Sequence, residues 1–131
     1  MIVVDTNVIA YLLLPGEWTL SAEALLEHDS SWVAPSLWRS EFRNILAGYL
    51  RRGTLTYEQT LAVQLTAETI LGGNERSVES QSVLQLVRDS RCSAYDCEFV
   101  AVAQQLEVTL YTMDSTVLAA FPDTARSLEQ S

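Results

Sequence analysis

The hydrophobic positions along the chain alternate between a strand-like and a helical pattern. Residues 1–4 form a continuous apolar run rich in β-branched side chains, which predicts a strand covered on both faces. After Asp5 the apolar residues recur at helical spacing until Pro15 and Gly16, which predicts a first helix. The remaining pattern predicts, in chain order, a helix over residues 19–27, a strand over 31–34, a helix from a Ser36 cap to Gly53, a helix over 56–71, a short strand over 76–78, helices over 80–89 and 93–106, a strand over 108–112, and a short helix from Asp114 to Ala119 before a polar tail.

Several side chains carry specific predictions about burial. Trp38 and Phe42 keep the helical period of their helix and are predicted to lie in the core. Leu61 and Leu65 are predicted to form the buried side of the helix over residues 56–71. Trp18 and Trp32 flank turns, which favours partial exposure and contact with a partner.

Strands separated by helices imply parallel pairing through right-handed crossovers. The pattern therefore predicts a three-layer α/β/α sandwich with a central parallel β-sheet. With 131 residues, of which 48% are hydrophobic, the chain fits one domain over residues 1–131.

The charge of the chain excludes several mechanisms. Seventeen acidic residues against 8 basic ones give a net charge of −9, and every basic residue is an arginine. Without lysine there is no Walker A loop, no Schiff-base amine and no receiver-type phosphorylation site. The acidity also argues against a broad basic surface that holds nucleic acid by neutralising phosphates. Contact with nucleic acid would need positive charge from another source.

The cysteine and histidine content points to a reduced, cytoplasmic protein. Cys92 and Cys97 are the two cysteines, and no basic and hydrophobic leader pattern opens the chain. We expect Cys97 to be a small buried thiol. A single histidine, His28, excludes a zinc-ligand set, and the apolar runs are too short to span a membrane.

Four carboxylates project from apolar helix faces, where acidic side chains are unusual. Asp5, Asp96 and Asp114 each have apolar residues three, four and seven positions later, and Glu41 lies between apolar residues four positions away on either side. Asp5 and Asp114 also sit where a strand gives way to a helix, so each could simply cap its helix. Asp96 could belong to a capping box that begins at Ser93. Glu41 is in mid-helix and needs a partner, which an arginine from elsewhere in the fold could supply.

The predicted sheet offers one explanation for all four carboxylates. Asp5 and Asp114 follow strands and therefore lie at the carboxyl edge, where open parallel sheets build ligand sites. If their strands are adjacent, Glu41 and Asp96 need only start near that edge to join them. Crowded carboxylates repel one another unless cations lie among them, and oxygen-only ligands select Mg²⁺ or Mn²⁺. Such ions polarise a phosphate, activate a water and stabilise the leaving oxygen, which is the chemistry of phosphodiester hydrolysis.

The motifs VVDTN at residues 3–7, SEFRN at 40–44, SAYD at 93–96 and TMD at 112–114 resemble, in this order, those of the PIN-domain ribonucleases. In size and layout the chain resembles the toxin half of VapBC-type toxin-antitoxin pairs. The resemblance implies a protein, often a homodimer, that cleaves RNA with Mg²⁺ or Mn²⁺. It implies that Asp5, Glu41, Asp96 and Asp114 are the catalytic, metal-binding quartet.

The same resemblance implies roles around the quartet. Thr6, Asn7 and Thr112 would orient it. Independently of the resemblance, Glu98 lies two residues beyond Asp96 and is therefore expected to face away on the helix into solvent. An antitoxin tail would lie in a groove between the early helices, for which Leu12, Leu13, Leu14, Trp18 and the helix over residues 56–71 are candidates; they could equally form a dimer contact or core. The plausible phosphate contacts are Arg39, Arg43, Arg51, Arg52, Arg88 and Arg91.

The leading hypothesis from the sequence is a metal-dependent endoribonuclease, the toxin of a two-component module, with RNA as substrate and an antitoxin as partner. A non-catalytic PIN-like module that binds a partner protein is the alternative. A small-molecule phosphohydrolase is disfavoured, because Asn7 stands where an Asp-x-Asp motif would have its second aspartate.

Overall fold

The computed structural model describes residues 1–130, which form a five-stranded parallel sheet with helices on both faces. The strands are β1 (Ile2–Val4), β2 (Trp32–Pro35), β3 (Glu75–Arg76), β4 (Leu110–Tyr111) and β5 (Ala125–Arg126). The helices are α1 (Thr6–Leu13), α2 (Thr19–His28), α3 (Leu37–Arg51), α4 (Tyr57–Leu71), α5 (Ser80–Arg88), α6 (Ala94–Leu106) and α7 (Ser115–Ala120), with a last 3-10 turn at Leu128–Gln130. Within residues 1–130, no helix is both long enough and apolar enough to cross a membrane.

The sheet has the strand order β3-β2-β1-β4-β5, and every pair of neighbours is parallel. β1 is the central strand: Ile2 lies opposite Trp32 of β2, and Val3 lies opposite Leu110 of β4. All three residues of β1 are buried, which explains why its sequence is a continuous apolar run.

The helices divide between the two faces of the sheet. The chain moves in one direction from β1 to β2 to β3 and in the other direction from β3 to β4 to β5. Right-handed crossovers therefore place α1–α4 on one face and α5–α7 on the other. In agreement, α6 packs on β1, β2 and β4, whereas α3 and α4 contact β2 and one another. The three-layer α/β/α sandwich is confirmed.

The core contains the aromatic side chains of α3 and of β2. Trp38 and Phe42 are fully buried, as predicted, with ring centroids 6.2 Å apart. The expectation that Trp32 is partly exposed is wrong, because Trp32 begins a strand that is covered on both faces and is itself fully buried. Cys92 and Cys97 are free, buried thiols.

The predicted buried side of α4 is also wrong. Leu61 and Leu65 are 45% and 54% exposed, whereas Gln64, Ala67 and Leu71 face the core. The small side chain of Ala67 allows close approach to the sheet. The Nε2 of Gln64 donates to Glu68 Oε2 at 2.9 Å, whereas its buried Oε1 has no hydrogen-bond partner among residues 1–130. The prediction from apolar periodicity therefore assigned the outer face of α4 to the core, and its two leucines lie on the surface instead.

The short strands were the elements least visible in the sequence. The third strand spans Glu75–Arg76, one residue earlier than its predicted start, and the fourth is shorter than predicted. The segment predicted to be a polar tail contains β5, which pairs with β4, and a buried Leu128. A two-residue strand is too short for any periodicity, so only its pairing in the fold defines it.

Candidate functional site

The strand order reverses between β1 and β4, and this reversal creates a crevice outside their carboxyl ends. The chain leaves β1 toward one face of the sheet and leaves β4 toward the other. Open parallel sheets bind ligands at such a switch point. Asp5 follows β1 directly, and Asp114 lies three residues beyond β4, so both carboxylates stand at this crevice.

A pocket of about 260 Å³ occupies the crevice. It is lined by Asp5, Thr6, Asn7, Glu41, Asn44, Ile45, Asp96 and Asp114. The structure thus brings all four candidate carboxylates to one pocket. Within residues 1–130, no arginine lines it.

Asp5 is held by two hydrogen bonds. The backbone N–H of Asn7 donates to Asp5 Oδ1 at 3.3 Å, which makes Asp5 the cap of α1, and Thr112 Oγ1 donates to Oδ2 at 2.7 Å. Burial nevertheless raises the pKa of Asp5. The two hydrogen bonds oppose that rise, and the negative charges of Asp96 and Asp114 add to it. The capping role and the place in the acidic pocket therefore coexist in one residue.

The hydroxyl of Thr112 connects the two strand ends. Thr112 is fully buried; its Oγ1 donates to Asp5 Oδ2 and accepts from the backbone N–H of Asp114 at 3.1 Å. Asp114 in turn caps α7, because its Oδ1 accepts from the N–H of Val117 at 3.0 Å. One buried hydroxyl therefore positions an aspartate carboxylate at one strand end and the backbone at the other.

The hydrogen-bond partner of the Glu41 carboxylate is a threonine hydroxyl and not an arginine. Thr6 Oγ1 donates to Glu41 Oε1 at 2.7 Å, and Thr6 is itself buried. Burial raises the pKa of Glu41, and the nearby charges of Asp5, Asp96 and Glu98 raise it further, against the lowering effect of the Thr6 hydrogen bond.

Asp96 projects from the first turn of α6. Its backbone N–H donates to Ser93 Oγ at 3.0 Å, so Ser93 caps the helix. Among the described residues, no side chain or backbone N–H donates a hydrogen bond to the Asp96 carboxylate. The backbone of Asp96 has a structural role, whereas its carboxylate is available to a ligand.

The sequence interpretation did not predict the positions of two residues near the pocket. Asn44 lines the pocket one helical turn after Glu41, and the offset of three residues was a signal that could have identified it. Glu98 was expected to face solvent, but it is half-buried, burial raises its pKa, and its charge acts on Glu41. Packing of α6 against the sheet and α5 covers more of the helix than its apolar stripe indicates.

The donor chemistry of the pocket fits a hard divalent cation. Carboxylate and amide oxygens are ligands that Mg²⁺ and Mn²⁺ accept, and the pocket offers no sulfur or imidazole. Within residues 1–130, however, no three His, Cys, Asp or Glu side chains are arranged as a ready metal-binding group. Burial raises the pKa values of Asp5 and Glu41, and the neighbouring carboxylates add to that rise, so a bound cation would favour their ionised forms.

Two of the arginines proposed as phosphate contacts are already held by carboxylates. Arg39 forms ion pairs with Glu68 and Glu75, both at 2.7 Å. Arg88 pairs with the adjacent Asp89 at 2.9 Å. Both guanidinium groups therefore have carboxylate partners in the fold, and contact of either with RNA stays a prediction.

Residues 2–123 match the sequence profile of the PIN domain. The chain belongs to the PIN domain family. PIN domains are generally nucleases that use divalent metals. No curated protein sequence matches the chain.

Solved structures share the fold of this PIN domain at low sequence identity. PAE2754 from Pyrobaculum aerophilum superposes with a TM-score of 0.78 at 18% identity, covering 98% of this chain and 91% of that one. FitAcB from Neisseria gonorrhoeae has a TM-score of 0.78 at 18% identity and covers 100% of both chains. A toxin-antitoxin complex from Klebsiella pneumoniae has a TM-score of 0.72 at 17% identity over 98% of each chain.

Proposed function

We propose that this PIN domain is a metal-dependent endoribonuclease that hydrolyses RNA phosphodiester bonds. The observation that supports the proposal is the pocket in which Asp5, Glu41, Asp96 and Asp114 meet without an arginine. A bound Mg²⁺ or Mn²⁺ ion, held by these four side chains, would polarise a phosphate and lower the pKa of water. It would also let an acidic protein of net charge −9 accept an anionic substrate.

The residues of the chain have distinct roles in this proposal. Thr6 and Thr112 hold Glu41 and Asp5 in fixed orientations, and each hydrogen bond favours the ionised carboxylate that a cation needs. Asn7 positions Asp5 through its backbone N–H. Before the chemical step, RNA would be bound by the cation and by neighbouring polar groups. The affinity for RNA should therefore be low without metal.

We further propose that the protein is the toxin of a toxin-antitoxin pair. The solved relatives include a toxin-antitoxin complex and a structure of FitAB bound to a DNA fragment. The exposed side chains of Leu50, Tyr57 and Leu61 line a groove between α3 and α4, and the exposed Leu65 follows one helical turn after Leu61. Together they form an apolar surface of the kind that a partner helix covers. Antitoxin binding there, a homodimer and a cytoplasmic location remain predictions.

The test of the nuclease proposal removes one metal-ligand charge at a time. Asp96→Asn and Asp5→Asn should each lower Mn²⁺-dependent cleavage of single-stranded RNA by more than about 100-fold, because each removes ligand charge. Asp123→Asn is the matched control, since Asp123 is exposed and lies outside the pocket. Circular dichroism should show that all three variants keep the fold.

Unchanged cleavage by both Asp5→Asn and Asp96→Asn would contradict the assignment. A second function, a non-catalytic module that binds a partner protein, is favoured by the apolar surface of α4. Purified protein that binds no Mn²⁺ by calorimetry and cleaves no RNA, yet still holds an antitoxin, would support that second function instead.

A further inference from the structure

A second cavity, of about 520 Å³, opens beside the acidic pocket, between the α5–α6 connection and α7. It is lined by Asp89, Ser90, Arg91, Ser115, Thr116, Ala119 and Ala120. Ser115 and Thr116 directly follow Asp114, which lines the acidic pocket. Consecutive residues at the start of α7 therefore line the two cavities, with Cα atoms about 3.8 Å apart. The volume is within the range of about 300–1,000 Å³ that is usual for ligand sites.

Arg91 is the basic group of this second cavity. Arg39 and Arg88 are held in carboxylate ion pairs, and Arg52 stacks over the ring of Tyr49. Four further arginines lie outside both the acidic pocket and the second cavity: Arg43, Arg51, Arg76 and Arg126. Within residues 1–130, Arg91 has no hydrogen-bonding or ion-pair partner, and its side chain is exposed. It is therefore the arginine that stands next to the candidate active site with its charge available.

The other lining groups are compatible with an anionic ligand. The carboxylate of Asp89 also lines the cavity, but both of its oxygens accept from Arg88, at 2.9 and 3.1 Å, so its charge is largely compensated. Ser115 and Thr116 supply two hydroxyl groups, and the remaining lining residues, Ala119 and Ala120, have small side chains. A guanidinium and hydroxyls are the groups that proteins use to contact the phosphodiester backbone.

We propose that this cavity binds an RNA phosphate that flanks the scissile one, with Arg91 as a positioning residue and the Ser115 and Thr116 hydroxyls as further donors. The inference rests on the proposed nuclease function, and it names a backbone contact for an enzyme that lacks lysine. A strand that enters the acidic pocket would continue over the start of α7 into the second cavity. Such a contact positions RNA without reading its sequence.

The test compares Arg91→Gln with Arg51→Gln in the full chain. Both changes remove one positive charge from an exposed side chain, but Arg51 ends α3 and lies outside both cavities. Binding of a fluorescent single-stranded RNA is measured at several salt concentrations with Ca²⁺ in place of Mn²⁺ to limit cleavage. Arg91→Gln should weaken binding roughly tenfold at low salt. It should also reduce the slope of log K against log salt by about 0.7, the value for one phosphate contact on a single strand.

Kinetics and a conservative variant complete the test. Arg91→Gln should raise KM for RNA in Mn²⁺ more than it lowers kcat, and Arg91→Lys should keep the wild-type salt slope because it keeps the charge. Equal losses in Arg91→Gln and Arg51→Gln, or no loss in Arg91→Gln, would overturn the subsite while wild-type cleavage leaves the nuclease proposal intact. Wild-type protein that neither binds nor cleaves RNA would instead refute the nuclease function, and the subsite with it.

Discussion

Two clusters of carboxylates lie near the same sheet, and the structure compensates their charge in opposite ways. At the β3 edge, Glu68 and Glu75 are bound by the guanidinium of Arg39, and Trp38 Nε1 donates to Glu75 at 3.1 Å. At the crevice between β1 and β4, three carboxylates of the candidate quartet have hydroxyl or backbone N–H partners, Asp96 has none, and no arginine of residues 1–130 lines the pocket. The first cluster joins α3, α4 and β3, whereas the second leaves its charges facing a pocket.

The pKa of Glu75 shifts in the opposite direction to those of Asp5 and Glu41. The hydrogen bonds and charge of Arg39 lower the pKa of Glu75. Burial and the neighbouring carboxylates raise the pKa values of Asp5 and Glu41. A carboxylate paired with arginine stabilises the fold as an ion, while crowded carboxylates without a cation oppose it. The direction of the pKa shift therefore distinguishes a carboxylate that stabilises the fold from carboxylates that form a site. The number of acidic residues alone does not make this distinction.

The largest effect expected at the crevice comes from a change at Thr112. Thr112→Val removes the hydroxyl that donates to Asp5 Oδ2 and accepts from the Asp114 N–H, while it keeps the shape of the side chain. Cleavage in Mn²⁺ should fall about 10- to 100-fold, as is usual when a group that orients a metal ligand is lost. Stability should fall by about 1–3 kcal/mol, because buried polar groups lose their partner. Both are measurable by initial rates and urea unfolding.

Thr112→Ser is the control for that prediction, because serine retains the hydroxyl. It should keep most of the cleavage and should retain the affinity for Mn²⁺ in calorimetry. If Thr112→Val and Thr112→Ser bind Mn²⁺ and cleave RNA equally well, the hydroxyl does not orient the quartet.

A smaller expected effect is a difference between variants of the two carboxylate clusters in how much Mn²⁺ stabilises the fold. Mn²⁺ at about 100 times its Kd should stabilise the wild-type protein by about 2.7 kcal/mol, because a ligand that binds only the folded state shifts unfolding. The shift should be lost in Asp96→Asn, whose carboxylate faces the pocket, and kept in Glu75→Gln, whose partner is Arg39. Thermal unfolding with Mn²⁺ or with chelator measures it. A shift that persists in Asp96→Asn would place the metal elsewhere.

Much of the fold follows from local sequence, because its main elements have strong periodic patterns. The apolar run of β1 and the helical period through Trp38 and Phe42 predict their elements, and parallel pairing follows from the alternation. The buried face of α4 does not follow, because it includes the polar Gln64, whose Nε2 donates to Glu68 Oε2. That bond joins an ion network with Arg39, which no single helix contains.

The candidate site divides in the same way. The four carboxylates are visible because each breaks an apolar stripe, and the sheet order then brings them together. The partner of Glu41 was not visible, because Thr6 lies 35 residues away and joins it only through packing of α1 on α3. The pairing of Arg39 and the availability of Arg91 likewise depend on tertiary contacts. Sequence patterns thus identify which side chains are unusual, and the fold decides how their charges are compensated.

The smallest predicted effect is a change in Tm, measured with chelator present, that has opposite signs for two Glu→Gln substitutions. The folded-state pKa of Glu41 is raised, so the ionised side chain destabilises the metal-free fold above that pKa, and the penalty disappears as pH falls below the unfolded value. Glu41→Gln can still accept from Thr6 and should therefore raise Tm by a few degrees at neutral pH. Glu75 has a lowered pKa; its ion pair stabilises the fold above the unfolded value and is lost as pH falls through the folded value. Glu75→Gln should thus lower Tm at neutral pH, and both differences should shrink toward acid pH. A lower Tm for Glu41→Gln at neutral pH would show that Glu41, like Glu75, stabilises the fold as an ion, and the contrast between the two clusters would fail.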